Sequence, residues 1–158
     1  MKKYYWLLFS LFIVHGISIA QLSTNSNVTS SFLVQNTLLG GGVTATNISF
    51  NGDVDAIGSF IGTNCNIGLN SGVILDGLSS ASTEDAAILE FDFEAVGSSI
   101  SFRYVFASEE YLEYVNAGYN DVFGFFITGQ NPNGGNYSST NIAIIPGTAT
   151  PVTIDNLN

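Results

Sequence analysis

Basic side chains and the common catalytic side chains are scarce in this 158-residue chain. It contains three Lys and Arg residues, one His, one Cys, one Trp and one Met. All of these except Cys65 and Arg103 lie within the first twenty residues. Beyond residue 20, thirteen acids stand against one arginine, a formal charge of −12. Such a surface repels phosphate backbones and anionic lipid, so nucleic acid is excluded as a partner.

The missing residue types also exclude several enzyme classes. Without His beyond residue 20 there is no Ser-His-Asp or Cys-His machinery, and without Lys there is neither a Schiff base nor a P-loop lysine. One cysteine without histidine cannot build a structural zinc site. Cys65 has no disulfide partner in this chain. It is therefore a buried thiol, a reactive free thiol, or one half of a disulfide bond to another molecule. Carboxylate chemistry and oxygen-ligated cations remain.

The first twenty residues have the organisation of a secretory signal peptide. Two lysines are followed by an apolar run over residues 4–14, and Ser18 and Ala20 place small residues before a cleavage site at Gln21. The apolar run is too short to span a bilayer. We therefore expect a cleaved signal over residues 1–20, secretion or surface display, and no membrane insertion of the mature chain.

The remaining chain is typical of an all-β protein. Residues 21–31 are polar and are predicted to be a flexible leader. From residue 32 to 158, short apolar runs alternate with turns rich in Gly, Asn and Ser, and no helical period is present. This spacing predicts one β-sandwich domain of jelly-roll type over residues 32–158.

Two alternating segments, residues 86–95 and 99–107, predict a β-hairpin with its turn at residues 97–98. The apolar residues of each segment share one face. The register that keeps both faces uniform places Phe91 opposite Tyr104 and Asp92 opposite Arg103. Asp92 and Arg103 are therefore predicted to form a structural ion pair.

Arg103 has two interpretations, because it is the sole cation beyond residue 20. It binds an anionic group of a ligand, or its planar fork anchors a carboxylate of the protein. The candidate carboxylates are Asp92, Glu109, Glu110 and Asp121. Because acids outnumber it so heavily, the structural role is favoured.

An acidic connection, residues 108–121, follows the second segment and collects oxygen ligands. Its candidate metal ligands are Glu109, Glu110, Glu113, Asn120 and Asp121. Uncompensated carboxylates repel one another, and Ca²⁺ accepts six to eight oxygens in flexible geometry. The hypothesis is a calcium site; the alternative is a solvated acidic loop.

The same region carries a family resemblance. FRYVFASEEYLEYV (102–115) and NDVFGFF (120–126) resemble the central signature of the choice-of-anchor L domain. Supporting similarity lies at residues 34–43, 57–60, 66–75, 86–93 and 142–154. The resemblance implies an extracellular module of bacterial surface proteins, many from gliding, type IX-secreting bacteria. It also implies that the family's domain continues past residue 158, so we expect a truncated domain.

The functional expectation is a non-catalytic module for adhesion or recognition within a larger exported protein. Its partner is an extracellular protein or a glycan. One rival is a glycan-active enzyme using carboxylates from Glu109, Glu110, Glu113 or Asp121. Adjacent glutamates on a strand end point to opposite faces, which makes Glu109 and Glu110 a poor catalytic pair. A purely structural spacer is the other alternative.

Overall fold

The computed structural model describes residues 21–77, 86–109, 111–118 and 120–157. Within them the chain is mostly β, in four antiparallel sheets, which confirms the all-β prediction. The chain divides into two compact units, Met1–Ser101 and Phe102–Asn158, where the sequence predicted one domain over residues 32–158. Across the described ranges, no helix has the length and apolar character needed to cross a membrane.

The strands and helical turns follow in chain order. The described strands are β1 (Ser23–Asn25), β2 (Val43–Asn51), β3 (Ile57–Ile61), β4 (Ser71–Leu75), β5 (Ile88–Ala95), β6 (Val122–Phe123), β7 (Phe126–Gln130), β8 (Asn136–Asn141) and β9 (Val152–Thr153). The helical pieces are α1 (Ser30–Phe32), a π-helical turn (Leu33–Leu38) and two 3-10 turns (Val54–Ala56 and Ile154–Asn156).

The first sheet of unit 1 has the order β1-β3-β4. β1 lies in residues 21–31, which composition predicted to be a flexible leader, and it pairs Ser23 with Ile61 and Asn25 with Ser59. Main-chain hydrogen bonds hold this edge, so a polar segment can join it without an apolar period. Gly58 allows the close approach, because a Cβ at Gly58 would lie 2.7 Å from the Asn25 carbonyl oxygen.

A short helical segment supplies much of the unit 1 core. The Thr29 hydroxyl accepts a hydrogen bond from the Phe32 amide at 3.2 Å and caps its start. Leu33 and Val34 are fully buried. The segment is only about two turns long, which explains why no helical period is visible in the sequence. The other buried apolar residues of this unit are Ala45, Ala56, Ile57 and Phe60.

The second sheet of unit 1 corrects the predicted hairpin. β5 forms within the predicted segment, but its partner is β2, with Thr46 opposite Asp92, and residues 99–108 carry no strand. The Asn47 side-chain amide donates to the Asp92 carboxylate at 2.6 Å, beside an irregularity in the pairing. Alternation specifies which face of a strand is buried, but it does not name the partner strand. The Asp92–Arg103 ion pair stays a prediction, but the hairpin register from which it was predicted is wrong.

Unit 2 consists of short antiparallel pairs. β6 pairs with β9 and β7 with β8, and an isolated bridge joins Ile144 to Pro151. Two short strands, β6 and β7, follow the acidic connection. The buried residues described for this unit are Ala143, Val152, Thr153 and Ile154.

Candidate functional site

Four aromatic rings of unit 2 pack in two pairs, which together we call the aromatic layer. The Phe102 and Phe125 ring centroids lie 4.6 Å apart, and those of Tyr104 and Phe123 lie 4.9 Å apart. Each pair joins alternate residues of two segments, so one face of residues 102–104 meets one face of residues 123–125. The prediction that Phe102 and Tyr104 share a face is confirmed, with aromatic partners supplied by the segment that follows the acidic connection.

Polar contacts fix the neighbouring segments against this layer. The Tyr104 hydroxyl donates to the Ile144 carbonyl oxygen at 3.3 Å. The Asn141 side-chain oxygen accepts from the amides of Phe125 at 3.1 Å and Ala143 at 3.0 Å. A single side chain therefore satisfies two main-chain donors where β7 begins and β8 ends.

A cleft of about 470 Å³ opens beside the aromatic layer. We call it the aromatic cleft. Arg103 lines it and is exposed. The structural role favoured for Arg103 from the sequence stays a prediction. The other lining residues are Phe102, Tyr104, Phe106, Pro146, Val152 and Leu157.

Asp121 links the two ends of the acidic connection to the C-terminal segment. The Ser108 hydroxyl donates to the Asp121 carboxylate at 2.5 Å. The Asp121 carbonyl oxygen accepts from the Ile154 amide at 3.1 Å. Because Ile154 is buried, this backbone contact ties the connection to the core of unit 2.

Asp155 makes a second tie that sequence reasoning missed. Its carboxylate accepts from the Asn116 amide at 2.7 Å, and its own amide donates to the Asn120 side chain at 3.3 Å. The residue sits in a 3-10 turn whose start is capped by Thr153. The Thr-Ile-Asp-Asn pattern is the signal that could have predicted this turn.

The predicted calcium ligands do not assemble into a ligand set among the described residues. Glu109 and Glu113 are exposed, whereas Asn120 and Asp121 accept hydrogen bonds from the protein. Glu110 lies outside the described residues. In the part of the chain that the structure describes, no three Asp, Glu, His or Cys side chains group in a way that could hold a metal ion. The calcium site stays a prediction.

Cys65 has a structural setting in unit 1. It is half-buried, and its thiol donates to the Gly62 carbonyl oxygen at 3.2 Å. The thiol also packs near the Gly62 α-carbon, where a Cβ would lie 3.3 Å from the sulfur. Cys65 therefore helps to close its own loop.

Comparison with known proteins gives one match. A family model, the choice-of-anchor L domain, matches residues 76–158, which is more than half of the chain and includes the whole of unit 2. The similar pieces quoted before residue 76 lie outside the matched range. Searches of curated proteins and of solved structures found no match. Choice-of-anchor domains are modules of bacterial surface or secreted proteins and are generally non-enzymatic. The chain belongs to the choice-of-anchor L domain family.

Proposed function

We propose that this chain is a non-catalytic recognition or adhesion module of a larger exported protein, displayed on the cell surface or secreted. The observation that carries the proposal is the family match over residues 76–158. The amino-acid composition supports it, since carboxylates are the main catalytic side chains left beyond residue 20. In the described ranges they form no metal-holding group of three.

The surface of unit 2 supports recognition as the activity. Several large apolar side chains are exposed there, including Tyr111, Leu112, Tyr114, Val122 and Phe126. Single exposed apolar residues are ordinary, but aromatic side chains are enriched in interfaces that bind other molecules. Val122 and Phe126 lie in the consecutive strands β6 and β7, on segments that also supply the aromatic layer.

Export is part of the proposal. The signal peptide predicted over residues 1–20 lies outside the described residues, and its basic start, apolar run and small cleavage residues support secretion. The mature acidic chain would then meet partners outside the cell.

The proposal is tested by incubating the labelled, exported protein with cell surfaces, extracellular proteins and glycans. We expect saturable retention with no chemical change in the retained partner. Val122→Ser and Phe126→Ser should weaken retention by removing exposed apolar contact area.

Val54→Ser is the matched control, because Val54 is 77% exposed in unit 1 and Val122 is 62% exposed in unit 2. Release of shortened glycan products would replace the proposal with the enzyme alternative. The absence of any retained partner would leave a structural spacer.

A further inference from the structure

We propose that Asn133 is a site of spontaneous deamidation, at which the folded chain acquires a new carboxylate without the help of an enzyme. Asparagine is among the chemically labile residues of proteins. The pair Asn133-Gly134 lies at the tip of the hairpin that β7 and β8 form. The inference is independent of the proposed recognition function, because it rests on the geometry of this turn alone.

The reaction is the attack of one amide on another. The main-chain nitrogen of Gly134 gives up its proton and bonds to Cγ of the Asn133 side chain, which closes a five-membered imide ring. The side-chain nitrogen leaves with that proton as ammonia. Water then opens the ring: cleavage at Cγ gives aspartate, and cleavage at the main-chain carbonyl gives isoaspartate, in which the chain runs through Cβ and Cγ. The net change consumes one water and needs no oxidant, reductant or cofactor.

The sequence limits the candidate sites to two. The attacking nitrogen belongs to the residue after the asparagine, and glycine shields that nitrogen least because it has no side chain. Beyond residue 20, glycine follows asparagine only at residues 51–52 and 133–134. Asn131, in the same loop as the second pair, precedes a proline, which has no N–H to lose.

The turn that contains Asn133 holds the reacting atoms at the surface. The Asn133 amide donates to the Asn131 side-chain oxygen at 2.9 Å, and the Gly134 amide donates to the Asn131 carbonyl oxygen at 2.9 Å. Asn133 and Gly134 are both exposed, and they lie between the end of β7 at Gln130 and the start of β8 at Asn136. Releasing the Gly134 nitrogen therefore breaks a turn bond without opening the strand ladder, which is a local event of low cost.

The glycines of the turn leave room for the ring to close. Gly134 and Gly135 have φ angles of +107° and +76°, and a Cβ at either would meet no described atom within 4 Å beyond its chain neighbours. The main chain can therefore turn toward the Asn133 side chain without displacing another element.

The other candidate, Asn51, is held by its strand. It is also exposed, so exposure does not distinguish the two sites. Asn51 is the last residue of β2 and pairs with Ile88 in β5. A Cβ at Gly52 would lie 2.8 Å from the Phe50 ring and 3.3 Å from a main-chain carbonyl oxygen, so little space surrounds the attacking nitrogen. We therefore expect the turn site to react faster.

The products change the surface at the tip of the hairpin. Residues 122–154 contain no Asp, Glu, Lys or Arg, although the chain beyond residue 20 has thirteen acids. Deamidation gives this segment a carboxylate. Isoaspartate also lengthens the main chain of a turn whose outer bond joins the Asn131 amide to the Gly135 carbonyl oxygen at 3.0 Å. The aspartate form should keep that bond, whereas the isoaspartate form should lose it.

The test is incubation of the purified, exported protein in mildly alkaline buffer, followed by brief digestion with chymotrypsin and mass spectrometry. The peptides 51–60 and 127–137 report the two sites, because each is bounded by aromatic residues. In the folded protein we expect conversion at Asn133 to be at least about fivefold faster than at Asn51. The rate should rise with pH, because the attacking nitrogen must lose its proton. In denaturant the two sites should convert at similar rates, because both precede glycine and neither is held.

Variants in the same peptide control for the assignment. Asn133→Gln keeps an amide but must form a larger ring, so its peptide should stay unconverted, whereas Asn136→Gln should leave conversion at Asn133 unchanged. Asn133→Asp should elute with the aspartate product on anion exchange. Conversion at Asn51 as fast as at Asn133 in the folded protein, a difference in rate that persists in denaturant, or conversion of Asn133 only after denaturation would each overturn the proposal.

Discussion

Gly58 in β3 shows how one hydrogen atom can decide whether a strand joins a sheet. A Cβ at this position would lie 2.7 Å from the Asn25 carbonyl oxygen and 3.3 Å from the Ser26 α-carbon, both main-chain atoms. Main chain cannot rotate away as a flexible side chain does. We therefore expect Gly58→Ala to displace β1 and to lower the free energy of unfolding by about 1–3 kcal/mol.

Chemical denaturation of Gly58→Ala measures that loss, and Gly41→Ala is its control. No atom beyond its chain neighbours lies within 4 Å of a Cβ at Gly41, and its φ is outside the left-handed region. Equal midpoints for the two variants would contradict the close approach of β1 to β3.

Two substitutions of Tyr104 measure the contributions of its hydrogen bond and of its ring contact separately. Tyr104→Phe removes the bond to the Ile144 carbonyl and should cost about 0.5–1.5 kcal/mol of stability. Tyr104→Ala also removes the contact with Phe123 and should cost more, although the ring is 41% exposed. Thermal denaturation orders the variants, and Tyr111→Phe, at an exposed residue, should change stability by less than about 0.5 kcal/mol.

Among the elements, the acidic connection depends on the last turn of the described chain. Asp155→Ala removes the acceptor of the Asn116 amide, whereas Asp155→Asn keeps a side-chain oxygen there. We expect the Asn116 amide to exchange with solvent about fivefold faster for each ~1 kcal/mol lost in Asp155→Ala. The asparagine variant should stay close to the parent. Identical exchange in all three proteins would show that the contact does not order the connection.

Strand faces were predictable from the sequence, whereas strand partners were not. The alternation in residues 88–95 predicted β5, and the alternation of Phe102 and Tyr104 predicted their shared face. The partner of β5 is β2, about forty residues earlier, and two apolar faces of similar character compete for such a strand. Local pattern contains no information that resolves that competition.

The candidate site was predictable in its location but not in its contacts. The aromatic and acidic character of residues 102–126 identified the region. Asp155 and Leu157 reach it from the C-terminal segment, and a lone acid or leucine carries no periodic signal. The short helical segment that ends at Leu38 was not predicted, because two turns are too few to establish a helical period.

For the molecule as a whole, the excess of acids predicts that calcium stabilises the folded protein. If the acidic connection binds Ca²⁺ only when folded, millimolar calcium should raise the melting temperature relative to EDTA. Glu110→Gln and Asp121→Asn should reduce that increase, whereas Glu94→Gln, on β5, should not. An unchanged midpoint would leave the connection a solvated acidic loop.

Export determines the composition of the working protein. Cleavage before Gln21 would remove every lysine together with the single histidine, tryptophan and methionine. Mass spectrometry of the secreted chain should find Gln21, or its cyclised form, at the N-terminus. An N-terminal peptide that still contains Trp6 would instead show that the signal is retained.

The exposed position of Arg103 has a consequence for proteolysis. Trypsin cuts after lysine and arginine, so residues 21–158 offer it one peptide bond, between Arg103 and Tyr104. That bond lies in a segment without strand hydrogen-bond ladders, at the wall of the aromatic cleft. Cleavage of a chain of residues 21–158 should therefore give two fragments, and a molecule seated in the cleft should slow their appearance. The rate of cleavage at Arg103, followed on a gel without any label, therefore reports whether the cleft is occupied.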